Sequence, residues 1–247
     1  MSPQNPEITT AAAPLQTRDR LIVALDVSTA REAGELVRRV GDAAGLFKVG
    51  LQLFANEGPA LVREMIASGH RVFLDLKLHD IPNTVSHAVK AAAELRVDML
   101  TVHASGGRAM LRAATEAAGR VNLLAVTVLT SFAEPDLNEV GVPGEIAPQA
   151  LRMAELARQS GIRGVVSSPR EASLLRKNLG EDFLIVTPGI RPAGADVNDQ
   201  QRIATPASAL AAGASHLVVG RPITHAADPA RAAREIVEEM AGVQAAV

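Results

Sequence analysis

The chain of 247 residues contains no cysteine, no tryptophan and no tyrosine, and only five phenylalanines. Without cysteine there is no disulfide, no thiolate zinc site and no thiol nucleophile, and nothing marks the chain for an oxidising compartment. So few aromatic rings argue against the stacking platforms that hold single-stranded nucleic acid. Basic runs are missing as well: 25 Lys and Arg stand against 27 Asp and Glu, a formal net charge of −2. Neither nucleic acid nor an anionic membrane surface is therefore an expected partner. No apolar stretch approaches the ~20 residues of a membrane span. The first residues also lack the basic-then-apolar layout of a secretory signal. These absences lead to the expectation of a cytoplasmic protein, with a disordered leader over residues 1–18 and a loose tail after Glu239.

What is present is aliphatic. Hydrophobic residues make up 47% of the chain, so Leu, Val, Ile and Ala must build the core. From Leu21 onward one pattern repeats: a short apolar run, a polar turn, an amphipathic segment, a glycine. The runs predict strands at 21–26, 46–49, 71–77, 99–103, 122–128, 164–168, 183–187 and 216–220. Helices are expected between them: from the Ser28/Thr29 cap candidates to Val40, then at 59–68, 81–95, 107–118, 147–160, from Pro169, 206–212 and 229–240. Eight strand–helix units without a compositional break predict a single α/β domain over residues 19–247, a (β/α)8 TIM barrel. An open doubly wound sheet would more often show a Gly-x-Gly-x-x-Gly turn after its first strand, where this chain has Ala24-Leu25-Asp26-Val27.

In such a barrel the working face is the one at the strands' C-terminal ends. Those ends carry Asp26, Lys48, Asp75, Lys77, His103, Thr130, Ser131, Arg191, Gly220 and Arg221, whereas the strand interiors are apolar. Strand alternation predicts that Asp75 and Lys77 project together, with Leu74, Leu76 and Leu78 opposite. A carboxylate and an ammonium sharing a buried face are tolerable when they meet each other, further charges or a ligand. Asp80 extends the row to Lys48-Asp75-Lys77-Asp80, although it also suits a helix cap ahead of Pro82. Gly220-Arg221 after the eighth strand, with Arg191 after the seventh, marks the sector that habitually binds phosphate in these barrels.

The motifs Asp75-Leu-Lys77-Leu-His-Asp80-Ile-Pro-Asn83-Thr84, Ala-Leu-Asp26, Phe-Lys48-Val-Gly, Val-Leu-Thr130-Ser131, Thr-Pro-Gly-Ile-Arg191-Pro and Val-Gly220-Arg221-Pro-Ile-Thr closely resemble the bacterial orotidine 5′-phosphate decarboxylase family. The likeness runs from about Arg20 to Ala233. The resemblance implies a homodimeric barrel that turns orotidine 5′-monophosphate into UMP and carbon dioxide, with no metal and no organic cofactor. It implies that Lys77 is the proton donor and that Lys48, Asp75 and Asp80 complete the charged array, Asp80 and Thr84 reaching the neighbouring subunit's site. It further assigns Asp26 and Lys48 to the ribose, Thr130 to the pyrimidine, and Arg191, Gln200, Gly220 and Arg221 to the phosphate end. The alternatives are a Mg²⁺-dependent sugar-phosphate decarboxylase or epimerase of the same superfamily, and a non-catalytic nucleotide-binding barrel.

Overall fold

Short runs of β-branched and leucine residues, each too brief for a helix and each followed by a polar turn, pair side by side because burial on two faces suits them to a parallel sheet. In the computed structural model, which describes residues 16–192 and 204–244, eight such strands close into a barrel in sequence order. They are β1 (Leu21–Ala24), β2 (Leu46–Gly50), β3 (Val72–Leu78), β4 (Met99–His103), β5 (Asn122–Val126), β6 (Gly164–Val166), β7 (Leu184–Thr187) and β8 (His216–Val219). All neighbours are parallel, and β8 pairs β1 to complete the ring.

The surrounding helices are α1 (Ala30–Val40), α2 (Leu51–Ala67), α3 (Pro82–Glu94), α4 (Gly107–Ala117), α5 (Glu134–Glu139), α6 (Ile146–Gln159), α7 (Ala172–Leu179), α8 (Pro206–Ala211), α9 (Arg221–Thr224) and α10 (Pro229–Gln244). Thr29 caps α1: its hydroxyl accepts the Glu32 N–H while the Glu32 carboxylate accepts the Thr29 N–H. Two orphan donors of the first turn are thereby satisfied.

Side chains of alternate strand residues divide into two layers. Ile22, Ala24, Leu46, Phe73, Met99, Leu124, Val186 and Val218 pack inside the barrel, whereas Val23, Phe47, Leu74, Leu100 and Leu217 face the helices. The interior is filled so tightly that a methyl group at Gly164 would lie 2.6 Å from the Leu184 Cβ. Burial of each large aliphatic side chain contributes about 1.5–3 kcal/mol, which is how a chain with so few rings builds a stable core. This apolar plug forms a floor, and the charged row of Lys48, Asp75 and Lys77 lies above it.

Several elements depart from the sequence expectation. The helix expected at 59–68 begins earlier, at Leu51, and crosses a kink where Gly58 takes φ 63° before Pro59. α5 occupies part of the segment expected to be loop, and α7 starts at Ala172 rather than at Pro169. β1, β5, β6 and β8 end one or two residues before the predicted limits. α10 continues to Gln244, so the segment just after Glu239 is helical rather than a loose tail. Of the expected leader, residues 1–15 lie outside the described residues; Thr17 and Arg18 belong to a 3₁₀ turn, and the Arg18 guanidinium bonds the Asp42 carbonyl.

Candidate active site

The polar residues of β1, β2 and β3 converge at one mouth of the barrel. Lys48 rises from the interior face of β2, and its Nζ donates to Asp26 Oδ1 at 3.0 Å just beyond β1. The same amine lies 3.9 Å from Asp75 Oδ2. Lys77 Nζ donates to that Asp75 oxygen at 2.8 Å. The chain by itself therefore makes the row Asp26–Lys48–Asp75–Lys77, alternating in sign. Asp75 and Lys48 are largely shielded, with side chains 14% and 12% exposed, so their pairing offsets a real desolvation cost. Lys77 stands further out at 30%.

The expectation that Asp75 and Lys77 meet is fulfilled, but simple alternation is not the reason. Leu74 pairs Leu100 of β4, while Leu78 pairs Val102, so β3 spends four residues where β4 spends two. Within this bulge Lys77 takes φ 51°, a conformation non-glycine residues rarely adopt. Its backbone N–H leaves the ladder and donates to the Thr101 hydroxyl at 2.8 Å. Thr101 in turn donates to Asp75 Oδ1 at 2.9 Å. The sequence reading missed Thr101, because a threonine in an apolar strand reads as an ordinary β-former.

A cavity of about 500 Å³ opens above the floor, within the range of small-molecule sites. Asp26, Lys48, Asp75 and Lys77 line one side, and Thr130, Arg191, Gly220 and Arg221 lie elsewhere on its wall. Arg191 is buried, its Nη1 donating to the Ile190 carbonyl at 2.9 Å. A methyl group built at Gly220 would meet only ordinary contacts, with Asp26 Oδ2 at 3.6 Å and the Ala24 Cβ at 3.7 Å. Protein packing does not demand glycine there, whereas a side chain would crowd the mouth. His225 also lines the wall, which the sequence reading did not foresee. His103 stacks against His79 at 5.5 Å; burial, followed by the charges of His79 and Lys77, pushes its pKa below the ordinary histidine value.

Two expected residues stand apart from this cluster. Asp80 is exposed and accepts the Ile81 N–H at 2.6 Å, and Thr84 is exposed on the first turn of α3. Asp80 is thus not the fourth member of the row within one chain; Asp26 is. Gln200 lies outside the described residues. Among the described residues, no three His, Asp or Glu side chains converge in a way that could hold a metal ion.

A closed (β/α)8 barrel whose mouth joins a lysine–carboxylate row to a cavity flanked by arginines belongs among the barrel enzymes. The chain belongs to the orotidine 5′-phosphate decarboxylase / HUMPS family, whose model matches residues 19–236. It is 51% identical over 237 residues to the orotidine 5′-phosphate decarboxylase of Heliobacterium modesticaldum, covering 92% of this chain and 98% of that one. It is 54% identical over 226 residues to the enzyme of the same name from Halorhodospira halophila, covering 90% and 96%. The crystal structure of orotidine 5′-phosphate decarboxylase from Lactobacillus acidophilus superposes with a TM-score of 0.81 at 42% identity, covering 89% and 98% of the two chains. No helix among the described residues is long and apolar enough to cross a membrane.

Proposed function

We propose that this protein decarboxylates orotidine 5′-monophosphate to UMP and carbon dioxide, with Lys77 as the proton donor. The observation that carries the proposal is the Lys77 ammonium, 2.8 Å from Asp75 on the wall of a nucleotide-sized cavity. It stands in a chain half identical, over nine-tenths of its length, to proteins named for this reaction.

The chemistry follows from those charges. Breaking the bond to the carboxylate leaves an electron pair on a ring carbon as carbon dioxide departs. A fixed ammonium beside that carbon stabilises the developing negative charge and then delivers a proton to it. Asp75 orients Lys77, and Lys48 and Asp26 are assigned to the ribose hydroxyls. Thr130 is assigned to the pyrimidine; Arg191, Gln200, the Gly220 backbone and Arg221 are assigned to the phosphate. Phosphate contacts far from the breaking bond contribute binding energy that can be used to hold the reacting carbon against Lys77. No metal or organic cofactor takes part in this reading. A phosphorylated substrate does not cross a bilayer unaided, which suits a cytoplasmic site of work.

The proposal includes a homodimer in which Asp80 and Thr84 complete the neighbouring subunit's site. Both are exposed, and Ile81 between them is 65% exposed, an apolar side chain suited to cover by a second copy.

Loss of orotidine 5′-monophosphate absorbance tests the reaction. Turnover is expected with and without EDTA. Lys77→Ala is expected to abolish it while UMP still binds; normal turnover in that variant would refute the proton-donor role. Lys77→Ala and Asp80→Ala chains, each inactive alone, should regain roughly a quarter of wild-type activity when refolded together, because one site in four is then intact. No recovery on mixing would mean that the sites are not shared.

A further inference from the structure

We propose that Thr101 is a positioning residue for the decarboxylation, acting through Asp75 and Lys77; this rests on the assignment of Lys77 as proton donor. Thr101 is fully buried on β4, on the same interior face as Met99 and His103, so it does not reach the substrate itself. A hydroxyl has one proton and two lone pairs. Here the proton is committed to Asp75 Oδ1 and a lone pair accepts the Lys77 backbone N–H.

The two bonds fix two different things. The first divides the labour of the Asp75 carboxylate. With Oδ1 held by Thr101, the carboxylate plane is set and Oδ2 is the oxygen presented to both lysines, at 2.8 Å from Lys77 and 3.9 Å from Lys48. The second bond gives a partner to the donor that the bulge removes from the β3–β4 ladder, and so holds Lys77 at its positive φ. Without the hydroxyl, Asp75 is free to rotate and the Lys77 N–H loses its acceptor. The bulge then relaxes toward regular pairing and carries the ammonium off its line to the reacting carbon. Small misplacements of a catalytic group cost up to about 100-fold in rate. The ribose and phosphate contacts are untouched, so affinity is spared.

Steady-state kinetics and UMP binding on three variants test this. Thr101→Val removes the hydroxyl and keeps the shape; its kcat should fall roughly 10–100-fold, while KM and the UMP Kd stay within about 3-fold. Thr101→Ser restores the hydroxyl and should bring kcat back to within about 3-fold of wild type. Thr101→Ala replaces the valine variant if the latter is not recovered folded, and the count of UMP-binding sites normalises each rate to folded protein. Lys77→Ala is the control that separates the two levels of the argument. If it turns over normally, the proton-donor assignment itself fails. If it is inactive while Thr101→Val keeps its kcat, the Thr101 proposal alone is overturned. It is also overturned if Thr101→Ser is as slow as Thr101→Val, or if the loss appears in KM and UMP affinity rather than in kcat, since either pattern marks a merely structural role.

Discussion

Replacing Gly50 with alanine separates the charged row from the stability of the barrel that holds it. Gly50 ends β2 beside Asp75 and precedes α2. Its backbone, at φ −94° and ψ −179°, is extended and open to any residue, so alanine brings no backbone strain. A methyl group there would nevertheless lie 3.0 Å from Lys48 Nζ and 3.8 Å from Asp26 Oδ1. The floor and helix layers do not touch it. The amine must yield by a few tenths of an ångström, and its charge-assisted bond to Asp26 is what yields with it. Losing such a bond outright would cost about 1.5–3 kcal/mol, and a shift of this size stretches it, so roughly half of that is expected. At 1.36 kcal/mol per decade, kcat/KM should fall roughly 3–10-fold. Stability should change by less than about 1 kcal/mol, because the weakened bond is partly offset by the about 0.4–1 kcal/mol that alanine contributes by restricting the unfolded chain. Initial rates from orotidine 5′-monophosphate absorbance, together with a urea unfolding curve, read both quantities. A variant with wild-type kcat/KM would show that the Lys48 position is not used in the reaction. Equal losses of rate and stability would show that Gly50 is a packing residue.

Two further outcomes follow from other parts of the molecule. Arg221→Ala removes a guanidinium from the cavity wall; loss of a charge-assisted phosphate contact of about 1.5–3 kcal/mol should lower kcat/KM roughly 10–100-fold, and an unchanged value would place the phosphate elsewhere. Buried His216, at the start of β8, has its pKa pushed down to about 4, by burial first and then by the Arg20 and Arg71 charges. An unfolded histidine takes up its proton near 6.5, so between these values the unfolded state binds more protons and stability falls as pH drops. The contribution is complete above about pH 6.5 and should shrink by about 2 kcal/mol between pH 7 and pH 5. Urea unfolding of wild type against His216→Gln measures that difference, and parallel pH dependences in the two proteins would refute it.

Much of this was legible in the sequence because the signals were local. Eight short apolar runs gave the barrel, and a charged or polar residue at the end of most of them gave the mouth. What escaped depended on neighbours distant in sequence or on breakers read too strictly. Gly58-Pro59 reads as a helix start, yet here it is a kink within α2, whose earlier turns already place Leu53 in the core with Phe54 packed against it. Pro135 reads as loop, yet at the first turn of α5 it costs no hydrogen bond. Asp80 continues the alternating charges on paper. Within one chain the row ends at Lys77 and is closed at its other end by Asp26, about fifty residues earlier. Thr101 was invisible because nothing in β4 announces that β3 slips against it.

That slip is what fits the row to the floor beneath it. Had β3 continued in register from Leu74↔Leu100, Lys77 would stand opposite His103, the last residue of β4, and Leu78 opposite Ala104, past its end. Pairing Leu78 with Val102 instead draws the strand back by two residues, about 6–7 Å along the strand at ~3.3 Å per residue. A straight strand would carry the Lys77 side chain above the mouth into water, where an ammonium is screened and its pull on a nascent carbanion is weak. Drawn back, the amine lies against Asp75, whose other oxygen is anchored to a fully buried hydroxyl. The geometry that strains Lys77 is therefore the geometry that holds its charge low, over the cavity and short of open solvent.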